Sequence, residues 1–326
     1  MHQDLQDRPR LYYPWPDLIS PYVDELEEEI NYWLLHSYQC IPPEIKRKYE
    51  KTRLGHITAR FFPMASRERL TPLNMNSLWG IAFDDYHEHC TIDQLRRLKH
   101  RVEDILIGAP PLKEENDIFW QLAVMRDSFA QFMPTNWLAR FSNSMGEYVQ
   151  GMVEEAPFKE RLVSPSLSEY MQIRMKAVDV YPLVSFAEVV IGYTFPREVI
   201  YHPLMRRLAD LTCRIVAWCN DYFSIWKEED KDIMNIIMVV QHEYNISREE
   251  AFAEAVRIHQ ADVEEYIHLC DHMPHFGIHN EKVKEFIHHN NLMIQGHKSW
   301  YEKDTQRYKP GGHPEADQFR GVEVVV

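Results

Sequence analysis

An acidic cluster, Asp84-Asp85-Tyr86-His87-Glu88, follows an apolar stretch of the chain. Asp84 and Glu88 lie four residues apart, so on a helix their carboxylates share one face. Hard carboxylate oxygens suit Mg²⁺, which often combines one or two protein carboxylates with substrate phosphate and water. Taken alone, the pattern is more often a solvated helix end than a metal site.

A second group of oxygen donors lies in Asn220-Asp221-Tyr222-Phe223-Ser224-Ile225-Trp226-Lys227-Glu228. On a helix, Asn220, Ser224 and Glu228 drift by only about 80° over two turns and form one stripe. An amide oxygen, a hydroxyl and a carboxylate in that stripe predict a second cation site, with Lys227 available to the anion that the cation binds. The alternative is a polar face against a neighbouring helix.

The third feature is the pair Arg307-Tyr308 near the end of the chain, preceded by Trp300. It offers a guanidinium, a phenol and a large ring. Because Arg-Tyr is a common dipeptide, the pair has no meaning by itself.

The elements that must position these groups are predicted to be helices. Apolar residues recur at three- and four-residue steps over 23–34, 70–81, 204–218 and 283–300, the spacing of amphipathic helices. Prolines, including Pro134, Pro157 and Pro165, mark breaks between helices. Glycine is scarce, at 11 of 326 residues, and no period-two run is long enough for a sheet. These features predict one all-α domain.

The charge balance excludes some classes of partner. Acidic residues outnumber basic ones by 50 to 36, giving a formal charge of −14 at pH 7. This opposes broad binding to nucleic acid or anionic lipid. No stretch approaches the roughly 18 apolar residues of a membrane span, and the N-terminus does not resemble a signal peptide. We expect no nucleic-acid partner, no membrane span and a cytoplasmic location.

Together, and in this order, the three motifs resemble those of the bacterial class I terpene synthases. The family's aspartate-rich motif is matched by Asp84, Asp85 and Glu88, and its metal triad N-D-x-x-S-x-x-K-E by Asn220, Asp221, Ser224, Lys227 and Glu228. Its C-terminal Arg-Tyr pair is matched by Arg307 and Tyr308. The resemblance covers most of the chain.

The resemblance implies an all-α, single-domain helical bundle around a deep central apolar pocket. Residues 1–21 are expected to form an N-terminal strap, 22–308 the catalytic domain and 309–326 a flexible C-terminal tail. A homodimer is possible.

It also implies roles for individual residues. The expected cofactor is Mg²⁺ in a three-ion cluster, bound by Asp84, Asp85, Glu88, Asn220, Ser224 and Glu228. The expected diphosphate-binding residues are Arg174, Lys227, Arg307 and Tyr308. The expected pocket-lining residues are Phe62, Phe83 and Trp300.

One element departs from the family. A pyrophosphate-sensing arginine usually precedes the triad's asparagine by some 46 residues, and 220 − 46 = 174 identifies Arg174. The family places a polar linker three residues later and a small residue after it, whereas this chain has Ala177 and Val178. Asp179, one position further on, is the candidate replacement.

The implied function is a Mg²⁺-dependent terpene synthase. It would ionise an acyclic prenyl diphosphate, with farnesyl diphosphate as the expected substrate, and cyclise the carbocation to a sesquiterpene hydrocarbon or alcohol. Four alternatives stay open here: a diterpene synthase using geranylgeranyl diphosphate, a chain-elongating prenyl diphosphate synthase, a non-catalytic isoprenoid-binding protein and a di-iron carboxylate bundle. The last is suggested by Glu265-x-x-His268 and Glu285-x-x-His288.

Overall fold

The computed structural model describes residues 9–228 and 232–314, and within these residues all regular structure is helical. A 3₁₀ turn at Gly277–His279 precedes the last helix. The α-helices are α1 Val23–His36, α2 Pro43–Thr52, α3 Leu54–Phe61, α4 Arg67–His87, α5 Ile92–Leu106, α6 Asp117–Ala130, α7 Thr135–Arg161, α8 Leu167–Ala177, α9 Val180–Ile191, α10 Arg197–Ile200, α11 Pro203–Glu228, α12 Ile236–Tyr244, α13 Arg248–Asp271 and α14 Asn280–Lys303.

Local sequence explains many of the helix boundaries. Capping boxes begin α5, α8 and α13, where a serine or threonine accepts from the third backbone N–H and a Gln or Glu reaches back. Pro203 begins α11, and the predicted apolar stripe of this helix is buried in the bundle. The sequence therefore locates the long helices well.

One predicted break is wrong. Pro157 lies inside α7, which continues to Arg161. A proline removes one helical hydrogen bond, but α7 packs extensively against α5 and α8, and this burial outweighs the local loss. None of the helices in the described ranges has the length and apolar character needed to span a membrane.

The helices pack around one cavity. α4 and α11 carry the two oxygen-donor motifs, α3 and α14 pack closely, and α8 and α9 fill the space beside α7. The close approach of α3 and α14 depends on Gly296, because a Cβ there would lie 2.2 Å from the carbonyl oxygen of Arg60. This contact keeps the cavity-lining residues of α14 near those of α3.

The first and last described segments of the chain pack on the bundle. Residues 9–20 contain no helix and lie across α3 and α14, where Asp17 pairs with Arg60 and Lys303. Residues 309–314 differ from the expected flexible tail because they fold back onto the bundle, with His313 in contact with Lys48 and Lys227. The remainder of the expected tail, 315–326, and the first eight residues lie outside the described ranges.

Candidate active site

A cavity of about 890 Å³ lies in the centre of the bundle. Its polar end, as we name it, carries the side chains of Asp84, Asp85, Glu88, Glu155, Lys159, Arg174, Asn220, Lys227, Glu228, Asp232 and Arg307. Most of the other lining residues are apolar and include Leu54, Ile57, Phe61, Met152, Val178, Val180, Leu183, Val216 and Trp300, with a few polar side chains such as Asp179 and His297 among them. The two predicted motifs therefore meet in one cavity although they are far apart in sequence.

On the α4 side, Asp84 and Glu88 face the polar end. The hydroxyl of Tyr148 donates to Asp84 Oδ1 at 3.2 Å. The pKa of Glu88 is raised, first because the surrounding protein reduces hydration of its carboxyl and then by Asp84 and Asp85, while Lys227 opposes the shift. A nearby cation would relieve this concentration of negative charge.

Asp85 differs from the expected open metal ligand. Arg307 donates to its two oxygens at 2.6 and 3.0 Å, and the Tyr49 hydroxyl donates to Oδ2 at 2.8 Å. Asp85 thus binds and orients the arginine of the Arg-Tyr pair. The Arg307 Nε is buried without a hydrogen-bond partner among the described residues, so this guanidinium keeps one unused donor.

On the α11 side, the predicted stripe of Asn220, Ser224 and Glu228 is present. Asn220 Oδ1 accepts from Arg174 at 2.8 Å, and Glu228 Oε2 accepts from Asn235 at 2.8 Å. The Ser224 hydroxyl is fully buried just behind the cavity wall and has no partner within the described chain. A buried hydroxyl without a partner is costly, which indicates that a ligand completes this stripe.

Asp221, which the sequence analysis left without a role, positions Arg174. Its Oδ1 accepts from Arg174 Nε at 3.0 Å, and its other oxygen accepts from the Tyr170 hydroxyl and from the Ile236 amide. Burial raises the pKa of Asp221 to about 6, so it is ionised at neutral pH. Its sequence signals were its place in the nine-residue motif and its charge in a largely apolar stretch of α11.

Lys227 and Tyr308 both line the cavity. Lys227 Nζ lies 2.8 Å from His313 Nε2 at the polar end. Tyr308 lines the cavity and packs edge-on against Tyr301 and Trp300.

Two of the three expected pocket-lining aromatics are core residues. Phe62 packs against Phe61 and Phe186, and Phe83 stacks on Trp79, so both lie behind the described cavity wall. Trp300 does line the cavity, and its indole N–H donates to the Arg53 carbonyl. Helical rotation explains the error, because Phe61 and not its neighbour points inward from α3.

Asp179 occupies the short break between α8 and α9 with a left-handed backbone, φ 58°. It lines the cavity beside Gly80, where a Cβ would lie 3.2 Å from Asp179 Oδ2. Its Oδ1 is buried and unpartnered among the described residues. Burial, and then Asp84, raises the pKa of Asp179 well above its usual value, which favours the protonated form of this carboxyl.

Histidines near the site do not form a metal centre. His87 is buried rather than exposed at the helix end, and burial lowers its pKa to about 4. Within 9–228 and 232–314, no three His, Cys, Asp or Glu side chains are grouped as a metal site. In the ExxH pairs, Glu265 binds Arg207 and Glu285 binds Lys282, with side chains 42% and 46% exposed. They face outward, whereas di-iron ligands must face the bundle interior.

The residues present fit a hard divalent cation. The donors are carboxylate, amide and hydroxyl oxygens on two facing helices, and the unpartnered Ser224 hydroxyl is an open position in that set. Asn220 Oδ1 accepts one hydrogen bond, from Arg174, and its second lone pair is available to a cation. The same contact holds Arg174 beside the proposed metal position, where it can bind an anion.

His297 provides a test of this buried environment by pH. It lines the cavity between Phe61 and Tyr301, and burial, followed by Arg174, lowers its pKa to about 3. At pH values below 6.5, the His297 imidazole is protonated in the unfolded chain but stays neutral in the folded protein. The free energy of unfolding therefore falls as the pH drops toward 3. We expect His297→Phe to remove about 1.4 kcal/mol per pH unit from this slope. Urea denaturation between pH 6 and 4.5 measures the slope of the unfolding free energy against pH, with exposed His89→Phe as the control. Equal slopes for the unmodified protein and His297→Phe would contradict the lowered pKa of His297.

Comparison with known proteins gives a consistent picture. Residues 76–265 match the family model "Terpene synthase family 2, C-terminal metal binding". The chain is 26% identical to germacrene A synthase of Nostoc punctiforme over 96% of this chain and 98% of that protein. It is 27% identical to the (2E,6E)-farnesyl diphosphate-cyclizing (+)-T-muurolol synthase of Roseiflexus castenholzii, over 95% and 96% of the two chains.

Solved structures share the fold. The likeness to α-eudesmol synthase has a TM-score of 0.79 at 21% identity and covers 90% of this chain and 98% of that one. For 2-methylisoborneol synthase of Streptomyces coelicolor A3(2), solved with Mg²⁺ and 2-fluoroneryl diphosphate, the TM-score is 0.82 at 19% identity, with 91% and 96% covered.

Proposed function

The chain belongs to terpene synthase family 2, and from that premise we propose that it ionises farnesyl diphosphate and cyclises the carbocation to a sesquiterpene hydrocarbon or alcohol, releasing pyrophosphate. One observation carries the proposal: the oxygen donors of α4 and α11 converge at the polar end of a cavity whose remaining wall is largely apolar. That geometry separates a site for a charged leaving group from a dry chamber for a hydrocarbon cation.

We propose Mg²⁺, as a three-ion cluster, for the metal. Asp84 and Glu88 would hold it from α4, and Asn220, Ser224 and Glu228 from α11. When bound, the metal supplies electrostatic stabilisation of the charge that develops on the departing diphosphate.

The cationic side chains bind the diphosphate directly. Arg174 is held by Asp221 and Arg307 by Asp85, so both guanidiniums are fixed before substrate arrives. The free Nε of Arg307, the ammonium of Lys227 and the phenol of Tyr308 complete the donor set. Donors fixed in advance lose little orientational freedom during reaction, which is the source of their catalytic value.

The apolar wall protects and folds the cation. Phe61 and Trp300 present rings to the chamber, and ring faces favour a cation by roughly 0.5 to 2 kcal/mol each. The lowered pKa of His297 makes its imidazole a poor proton acceptor. The raised pKa of Asp179 disfavours the carboxylate form of this side chain, which is the form that could trap the cation. The apolar part of the wall therefore presents few strong nucleophiles or bases to the cation.

Incubation with prenyl diphosphates tests the function. With Mg²⁺ and farnesyl diphosphate, we expect release of pyrophosphate and a C15 product detectable by gas chromatography and mass spectrometry. EDTA should abolish both. Geranyl and geranylgeranyl diphosphate should turn over more slowly, and a preference for geranylgeranyl diphosphate would replace the sesquiterpene assignment by a diterpene one. No turnover of any of the three would overturn the enzyme assignment.

A further inference from the structure

The segment 309–314, which the family motifs do not include, covers the polar end of the cavity. Its His313 side chain is only 11% exposed. The His313 Nε2 lies 2.8 Å from Lys227 Nζ and 3.8 Å from Asp85 Oδ1. A histidine of this segment therefore contacts both the lysine of the α11 motif and the aspartate that orients Arg307.

Hydrogen bonds settle the roles of the two imidazole nitrogens. Nδ1 of His313 contacts the Pro314 carbonyl, which accepts only, so Nδ1 carries the proton. Nε2 then has a free lone pair and accepts from the Lys227 ammonium. This contact restricts a lysine side chain that otherwise has several rotatable bonds.

The segment is anchored to α2, directly by Lys48 and also through Gln306, which lies just before the segment. Lys48 Nζ donates to the His313 carbonyl at 2.7 Å, and the Gln306 amide donates to the Lys51 carbonyl at 3.0 Å. A Cβ at Gly312 would lie 1.9 Å from the Gln306 carbonyl oxygen, so only glycine permits this close turn. The anchors direct the imidazole toward the cavity instead of into solvent.

We propose that His313 is a positioning residue that holds the Lys227 ammonium toward the diphosphate, with Lys48 as the clamp that holds His313 in place. The inference rests on the proposed function, since it assigns a ligand to the same polar end. Fixing Lys227 before binding lowers the entropy lost when a diphosphate is captured. The effect belongs to ground-state binding of the diphosphate group, so it should appear in KM and in pyrophosphate inhibition more than in kcat.

The test measures KM, kcat and inhibition by inorganic pyrophosphate for His313→Ala, His313→Gln and Lys48→Met. We expect His313→Ala to raise KM and the pyrophosphate inhibition constant about tenfold, with kcat changed less than threefold. His313→Gln keeps an oxygen acceptor for Lys227 and should recover most of the loss. Lys48→Met should act in the same direction as His313→Ala, and exposed His36→Ala on α1, away from the cavity lining, is the matched control.

A double mutant separates positioning from general packing. In a Lys227→Met background, His313→Ala should cause no further change in KM or in pyrophosphate inhibition if His313 acts through Lys227. Full additivity of the two changes, or unchanged KM and pyrophosphate inhibition in a folded His313→Ala, would overturn the proposal. Calorimetric binding of pyrophosphate with Mg²⁺ gives the same comparison without turnover, so failure of this inference is distinguishable from failure of the proposed function.

Discussion

Asn220→Ala and Glu228→Ala are each expected to reduce turnover of farnesyl diphosphate by about 10²- to 10³-fold or more, the range typical for loss of a preorganised charge-stabilising group. Both side chains line the polar end of the cavity on either side of the unpartnered Ser224 hydroxyl. Each change removes one oxygen of the proposed metal stripe. The measurement is steady-state pyrophosphate release across a Mg²⁺ titration.

The structure suggests a sharper variant than alanine at position 228. Glu228 Oε2 also accepts from Asn235, so truncation weakens a contact that joins α11 to the start of α12. Glu228→Gln keeps an acceptor for Asn235 but removes the charge, and it should still lose most activity. Exposed Glu264→Ala on α13 is the matched control. Full activity in a folded Asn220→Ala or Glu228→Gln, verified by circular dichroism, would remove the stripe from its role.

Asp179→Ala is expected to lower turnover by about ten- to a hundredfold and to change the product distribution. Asp179 sits in the break after α8, the helix that carries Arg174, and its buried carboxyl faces the cavity beside Gly80. Removing it opens space in the chamber and deletes a polar group near the diphosphate end. Gas chromatography of products and steady-state rates measure the two effects.

Two further variants separate the carboxyl from the backbone. Alanine at a left-handed position costs roughly 1 to 2 kcal/mol, whereas glycine does not. Asp179→Gly should therefore lose activity as alanine does if the carboxyl matters. Asp179→Asn keeps the size and polarity of the side chain, and it should retain activity within a few-fold. Equal small effects for Asp179→Ala and exposed Asp271→Ala would contradict a role of the Asp179 carboxyl in the reaction.

Asp232 is not a suitable control for Asp179. It lines the cavity, and its carboxylate lies 3.3 Å from Lys159 Nζ. Burial raises the pKa of Asp232, but Lys159 and two backbone amides more than offset this and lower it overall. An alanine there would disturb the polar end of the cavity itself.

The sequence predicted the helical bundle and the family because both depend on local patterns. Apolar spacing along 204–218 predicts the buried face of α11, and the nine-residue motif ending at Glu228 is specific enough to identify a relative. The order of the three motifs along the chain supported the same family. The spacing signals act within one helix, where spacing alone determines which side chains share a face.

The tertiary structure decided which partner each of those side chains has. Asp85 binds Arg307 from 222 residues away, Asp221 holds Arg174, and His313 reaches Lys227 across the cavity. The rotation of α3 about its own axis likewise selected Phe61 and not Phe62 for the cavity wall. Spacing determines a helix face, but burial and long-range charge pairing depend on how whole helices pack, and that packing sums contacts from every part of the chain.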